Sequence, residues 1–174
     1  MAITKVDLAN VVTGVLPAAN GGTGVNTATT DAVINGVTVG KGGGAVSGNT
    51  VVGQSALQGS NSGSGYNTAI GFQTLYSNTT GAYNTAVGNY NTMYANTSGS
   101  SNIAIGGGDA VANPALRFNT TGSYNSAVGI GALGSNTTAS NNTAVGYRDG
   151  YASTATGITA VGANAGASTT SGTG

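Results

Sequence analysis

The sequence predicts an all-β fold: a homotrimer of parallel β-rolls, or solenoids, with repeats of about 17 residues and two short strands per coil. Three observations carry this. One five-residue phrase recurs seven times at nearly constant spacing. Gly, Ala, Thr, Asn and Ser fill 120 of the 174 positions, and no stretch supports two turns of helix. Leu, Ile, Val and Phe together reach only 31, too few and too evenly spread for one globular core. Lys plus Arg and Asp plus Glu are 4 each, so charge repulsion does not hold the chain open as it does in a disordered one.

The phrase stands at 49–53 (NTVVG), 67–71 (NTAIG), 84–88 (NTAVG), 102–106 (NIAIG), 125–129 (NSAVG), 142–146 (NTAVG) and 158–162 (ITAVG). Its closing glycines, Gly53, Gly71, Gly88, Gly106, Gly129, Gly146 and Gly162, are 18, 17, 18, 23, 17 and 16 residues apart and are expected to make the turns. Asn61, Asn78, Asn96, Asn119 and Asn136 each stand ten residues before the next of these glycines. Leu75, Met93, Leu116 and Leu133 lie three before four of those asparagines. Length therefore varies only at the start of each unit.

Alternation within the phrase puts positions two and four on one face of a strand and the alanine between them on the other. The copy Ile103-Ala104-Ile105 has isoleucine in both outer slots, which marks that face as the expected interior. The roll core is thus expected to be Val52, Ile70, Val87, Ile103, Ile105, Val128, Val145 and Val161. The alanine column, Ala69, Ala86, Ala104, Ala127, Ala144 and Ala160, points the other way and lets a neighbouring layer come close, so it is the expected trimer contact. Asn over Asn and Thr over Thr should form hydrogen-bonded ladders between coils. So thin a roll needs association to stabilise it.

Residues 1–48 lack the period and are expected to form an attachment and trimer-initiation region, 49–166 the repeat domain, and 167–174 a flexible tail. Within the first region, Val33-Ile34 and Val37 to Val39 flank Asn35-Gly36, a type I′ hairpin signal, and Lys41-Gly42-Gly43-Gly44 reads as a hinge.

Composition removes several functions. Cys, His and Glu are absent, which excludes disulfides, thiolate and imidazole metal sites and His-dependent triads. Lys5, Lys41, Arg117 and Arg148 form no basic run for nucleic acid. No apolar segment is long enough to span a membrane, and Met1 is not followed by a secretory signal. Gly40 to Gly44 lacks the order of a phosphate loop. No catalytic residue, cofactor or metal is expected.

Two features invite a partner. Tyr66, Tyr83 and Tyr124 precede the phrase Asn at one fixed position, as a column that could stack on sugars or a protein. The 23-residue unit carries extra residues between 107 and 115, with Asp109 and Pro114, and Arg117 follows; length added to a solenoid coil emerges as a side loop. Asp109, Pro114, Arg117 and the three tyrosines are the candidate contact residues.

The NTAVG units joined by LxSNTTG-like turns resemble the head repeats of trimeric autotransporter adhesins, and more closely the repeats of phage tail-fibre and virion proteins. Residues 14–24, GVLPAANGGTG, are similar to a segment common near the start of phage fibre proteins. The resemblance implies left-handed trimeric rolls and a non-enzymatic virion component, a tail fibre or spike made in the host cytoplasm. Its N-terminal region would attach to another virion protein, and its rod would contact a host-surface glycan or protein. A trimeric capsid decoration protein and a bacterial adhesin head are the alternatives.

Overall fold

In the computed structural model, the described residues are 31–59, 61–63, 65–108 and 113–168. Nine strands form one sheet in strict sequence order. They are β1 (Ala32–Ile34), β2 (Val37–Gly40), β3 (Thr50–Val52), β4 (Thr68–Phe72), β5 (Thr85–Tyr90), β6 (Ile103–Ile105), β7 (Ser126–Val128), β8 (Thr143–Val145) and β9 (Thr159–Val161). The hairpin β1–β2 turns at Asn35 and Gly36, both with positive φ, as the Asn-Gly pair dictates. β2 runs antiparallel to β3, and every later pair is parallel. Each phrase supplies one strand, and each coil returns to add the next strand on the same side. The fold is a β-solenoid.

Within the phrase the register is constant from coil to coil, and a bulge shifts it only beyond Ile70, where Phe72 pairs with Tyr90. Ala69 pairs with Ala86, Ala86 with Ala104, and so on to Ala160, with Val51 heading the column. The expected faces are exchanged. The alanines are almost wholly buried inside a single chain, while Ile70, Ile103, Ile105, Val128, Val145 and Val161 are exposed and Val52 and Val87 half-buried on the outer face. Ala69, Ala86, Ala104, Ala127, Ala144 and Ala160 are therefore core, not contacts between copies.

The reason is the width of the roll. Opposite the alanines stand Leu57, Leu75, Met93, Leu116 and Leu133, each completely buried in the same cluster. One long side chain per coil fills the gap, so its counterpart must be small, and a branched residue in the alanine slot would overpack it. The alternation was real, but its inward face is the small one.

The second expected strand of each coil is a series of turns. The residues of the leucine column all adopt left-handed backbone, with φ between 45° and 53°. Such a conformation breaks an extended strand and reverses the chain within a few residues. Backbone bonds still join this side from coil to coil, for example Leu75 N–H to Thr92 O at 3.0 Å and Met93 N–H to Ala115 O at 3.0 Å.

Residues 41–44 close over the first coil instead of acting as a hinge. Gly43 N–H donates to Leu57 O at 2.7 Å, and Gly42 lies against Leu57 and Val51. The Asp31 carboxylate clasps the turn, accepting from the N–H groups of Lys41 and Gly42 at 2.6 Å each.

Candidate functional site

Two asparagine ladders run through the interior. In the first, the phrase asparagines are buried, and each Oδ1 accepts the backbone N–H of the next. The distances are 2.9 Å from Asn67 to Asn49, 2.9 Å from Asn84 to Asn67, 3.0 Å from Asn102 to Asn84, 2.9 Å from Asn125 to Asn102 and 3.0 Å from Asn142 to Asn125. The second ladder joins side chains directly: Asn96 Nδ2 donates to Asn78 Oδ1, Asn119 to Asn96 and Asn136 to Asn119, each at 2.8 Å. The ladders share acceptors. Asn84 and Asn96 both donate to Gly99 O, and Asn102 and Asn119 both donate to Gly122 O. Amides thus satisfy the buried backbone where one coil's turns meet the next.

The last coil breaks both ladders. Ile158 replaces the phrase Asn, and Gly150 takes the leucine position; the Ile158 side chain reaches the space that a Cβ on Gly150 would enter. Ile158 N–H still donates to Asn142 Oδ1 at 3.0 Å, but Asn142 Nδ2 and Asn136 Oδ1 are buried without a partner.

The chemistry available to a partner is outside. On the outer face, the Val/Ile column from Val52 to Val161 runs beside a column of Thr50, Thr68, Thr85, Ile103, Ser126, Thr143 and Thr159. Among the described residues, none covers the exposed members of this stripe. Just before the strands, Tyr66 and Tyr83 stack with centroids 5.3 Å apart, and on the turn side Tyr76 and Tyr94 stack with centroids 5.0 Å apart. One face of each ring meets its neighbour, and Tyr66 and Tyr83 remain exposed while Tyr76 and Tyr94 are half-buried. Ser101 takes the next place in the first column, and Tyr124 beyond it is 65% exposed.

Of the other candidate contacts, Pro114 is buried and Arg117 is half-buried, while Asp109 lies outside the described residues. Of the expected turn glycines, Gly53, Gly71, Gly106, Gly129, Gly146 and Gly162 have φ between 123° and 150°; Gly88 sits within β5 without positive φ. Gly71 has a second constraint: a Cβ there would collide with the carbonyl oxygen of Gly88 in the next coil.

Sequence reasoning missed Asn113, Arg148 and Tyr151, which lie beside Arg117 on one flank. The Arg117 guanidinium donates to Asn113 Oδ1 at 2.9 Å, Asn113 bonds the Tyr151 hydroxyl, and Arg148 lies 4.2 Å from the Tyr151 ring centroid. The available signal was the pair Gly131 and Gly134, which depart from the residues at their places in neighbouring coils.

Among the described residues, no group of three or more His, Cys, Asp or Glu is placed to hold a metal ion. No helix there is long and apolar enough to cross a membrane. No known family matches the chain, and neither a curated protein nor a solved structure is significantly similar to it.

Proposed function

We propose that this chain is the rod of a phage tail fibre or spike: a non-enzymatic virion component that assembles as a trimer, projects from the particle and contacts the host surface or another tail protein. The observation that carries the reading is the outward Val/Ile stripe. An apolar column repeated through seven coils, exposed in five of them and half-buried in two, is what a self-associating rod presents. Three parallel copies about an axis along the rod bury three such stripes against one another, layer by layer in the same register. This moves the contact between copies from the alanines to Ile70, Val87, Ile105, Val128 and Val145. The resemblance of residues 14–24 and of the repeats to phage fibre proteins supplies the virion context, with the N-terminal region, residues 1–48, as the attachment segment. Threefold display then multiplies weak surface contacts into avidity.

Sedimentation equilibrium of the full chain, together with labelled antibody on intact particles, tests the reading. The expected result is a mass near 50 kDa, three chains of 16.5 kDa, and label on the tail or its base. A stable 16.5 kDa monomer overturns the trimer, and label over the capsid or none on particles overturns the fibre.

A further inference from the structure

The flank beside the long coil carries a cluster of basic and aromatic side chains that spans three coils. Arg117 follows Leu116 in one coil, and Arg148 and Tyr151 belong to the coil two layers on, because Leu116 N–H bonds Ala132 O and Leu133 N–H bonds Asp149 O. Asn113 spans the gap. It accepts from Arg117 and donates to the Tyr151 hydroxyl, so one amide ties both coils together. Arg117 lies 5.1 Å from the Phe118 ring centroid, and Arg148 lies 4.2 Å from that of Tyr151. Half of the chain's four basic residues are therefore held in one network of rings and an amide.

The coil between them makes room. A Cβ on Gly131 would stand 2.9 Å from Arg148 Cγ, and one on Gly134 would stand 2.9 Å from Tyr151 Cε2. Backbone conformation does not demand glycine at Gly131. Ser55, Gln73, Asn91, Arg148 and Asn164 take the same positive-φ place in other coils and carry side chains. Gln58, Tyr76, Tyr94, Arg117 and Tyr151 likewise fill the place of Gly134. Both glycines are explained by the side chains that lie over them.

Neither described acid neutralises the pair. Asp149 turns inward, fully buried, and accepts from Ala165 N–H at 2.9 Å, while Asp31 is occupied at the first coil. Among the described residues, Arg117 Nε is buried with no partner. Arg117 gives one N–H to Asn113, whose amide also holds the ring over which Arg148 lies, so two ring-stacked guanidiniums on one flank keep planar N–H groups to offer an oxyanion. Elsewhere the rod is almost without charge and has no basic stripe, so it does not follow a nucleic-acid backbone. We infer that Arg117 and Arg148 bind the carboxylate, sulfate or phosphate of an acidic glycan. The site stands on its own geometry and goes beyond the fibre reading, whose fate does not depend on it.

The test is calorimetric titration of the purified full chain with oligogalacturonate, dextran sulfate, a glycerol-phosphate oligomer, neutral dextran and single-stranded DNA. The first three distinguish carboxylate, sulfate and phosphate. At least one should bind, and neutral dextran should not. The double variant R117Q/R148Q should weaken that binding by about 10- to 100-fold, the order expected for lost charged hydrogen bonds. It should fold, because Gln58 and Gln73 already occupy the equivalent places in other coils. K41Q, which removes a distant charge, should bind as the unaltered chain does. The inference is overturned if no acidic glycan binds, if dextran binds equally well or DNA binds more tightly, if the double variant is unchanged, or if K41Q loses as much.

Discussion

Asn102→Asp changes one atom in the middle of the first ladder, and the structure sets its effect. Asn102 is fully buried. Its Nδ2 donates to Asn84 Oδ1 at 3.1 Å and Gly122 O at 2.9 Å, while its Oδ1 accepts from Asn125 N–H at 2.9 Å. Aspartate keeps the acceptor but sets a second oxygen against Asn84 Oδ1 and Gly122 O, each of which keeps one other donor, Asn102 N–H and Asn119 Nδ2 respectively. At about 0.5–1.5 kcal/mol for each hydrogen bond lost, the loss is about 1–3 kcal/mol before the facing oxygens and the cost of a buried charge are counted. Burial and the facing carbonyl oxygens both disfavour the ionised form, so the folded-state pKa of the new carboxyl lies above its unfolded value. The protonated acid restores one of the two bonds, which reduces the loss to about 0.5–1.5 kcal/mol. The sign follows from linkage: the penalty is smallest below the unfolded pKa of about 3.9 and grows as pH rises through the folded value. Urea unfolding of the variant and the unaltered chain, followed by circular dichroism at pH 3 and pH 7, measures the difference. Asn141→Asp, at an exposed asparagine, is the control and should cost little at either pH. A penalty for Asn102→Asp that is absent at neutral pH, or unchanged between the two pH values, would refute the ladder.

Two further outcomes follow from the packing. Leu116→Ala should cost about 2–5 kcal/mol in urea unfolding, since it empties one full layer of the interior, whereas Ile105→Ala on the outer face should leave chain stability nearly unchanged and weaken assembly in sedimentation. Gly71→Ala should prevent correct stacking by collision with Gly88 O, while Gly157→Ala, at φ 80° with nothing within 4 Å, should cost only about 1–2 kcal/mol of left-handed strain, both read from thermal unfolding.

Much of this architecture is legible in the sequence because a solenoid repeats its constraints. The phrase spacing places the seven parallel strands, Asn35-Gly36 places the hairpin, and the fixed asparagines lie where amides bridge the coils. The inside of the roll is less legible. Period-two alternation separates two faces but does not say which is buried, and in Ile103-Ala104-Ile105 the more hydrophobic face is the outer one. The deciding fact was the leucine column: one large residue from the turn side leaves room only for alanine from the strand side. The left-handed leucines were hidden too, because propensity gives no reason to expect positive φ at Leu75 or Leu133. The arginine cluster was half visible. Arg117 was marked by the long coil, but Arg148 and Tyr151 meet it only after two coils of stacking.

In this roll alanine faces in and the Val/Ile stripe faces out. The chain has no cysteine, so Ala104→Cys and Ile105→Cys each introduce a single thiol on opposite faces of β6. Thiol labelling of the two folded variants, with disulfide cross-linking between copies scored on the same samples, measures both faces at once. The thiol of Ala104→Cys should neither label nor cross-link until the chain is unfolded, and that of Ile105→Cys should either label rapidly or join a second copy. Labelling or cross-linking at 104, with 105 silent in both, would contradict it.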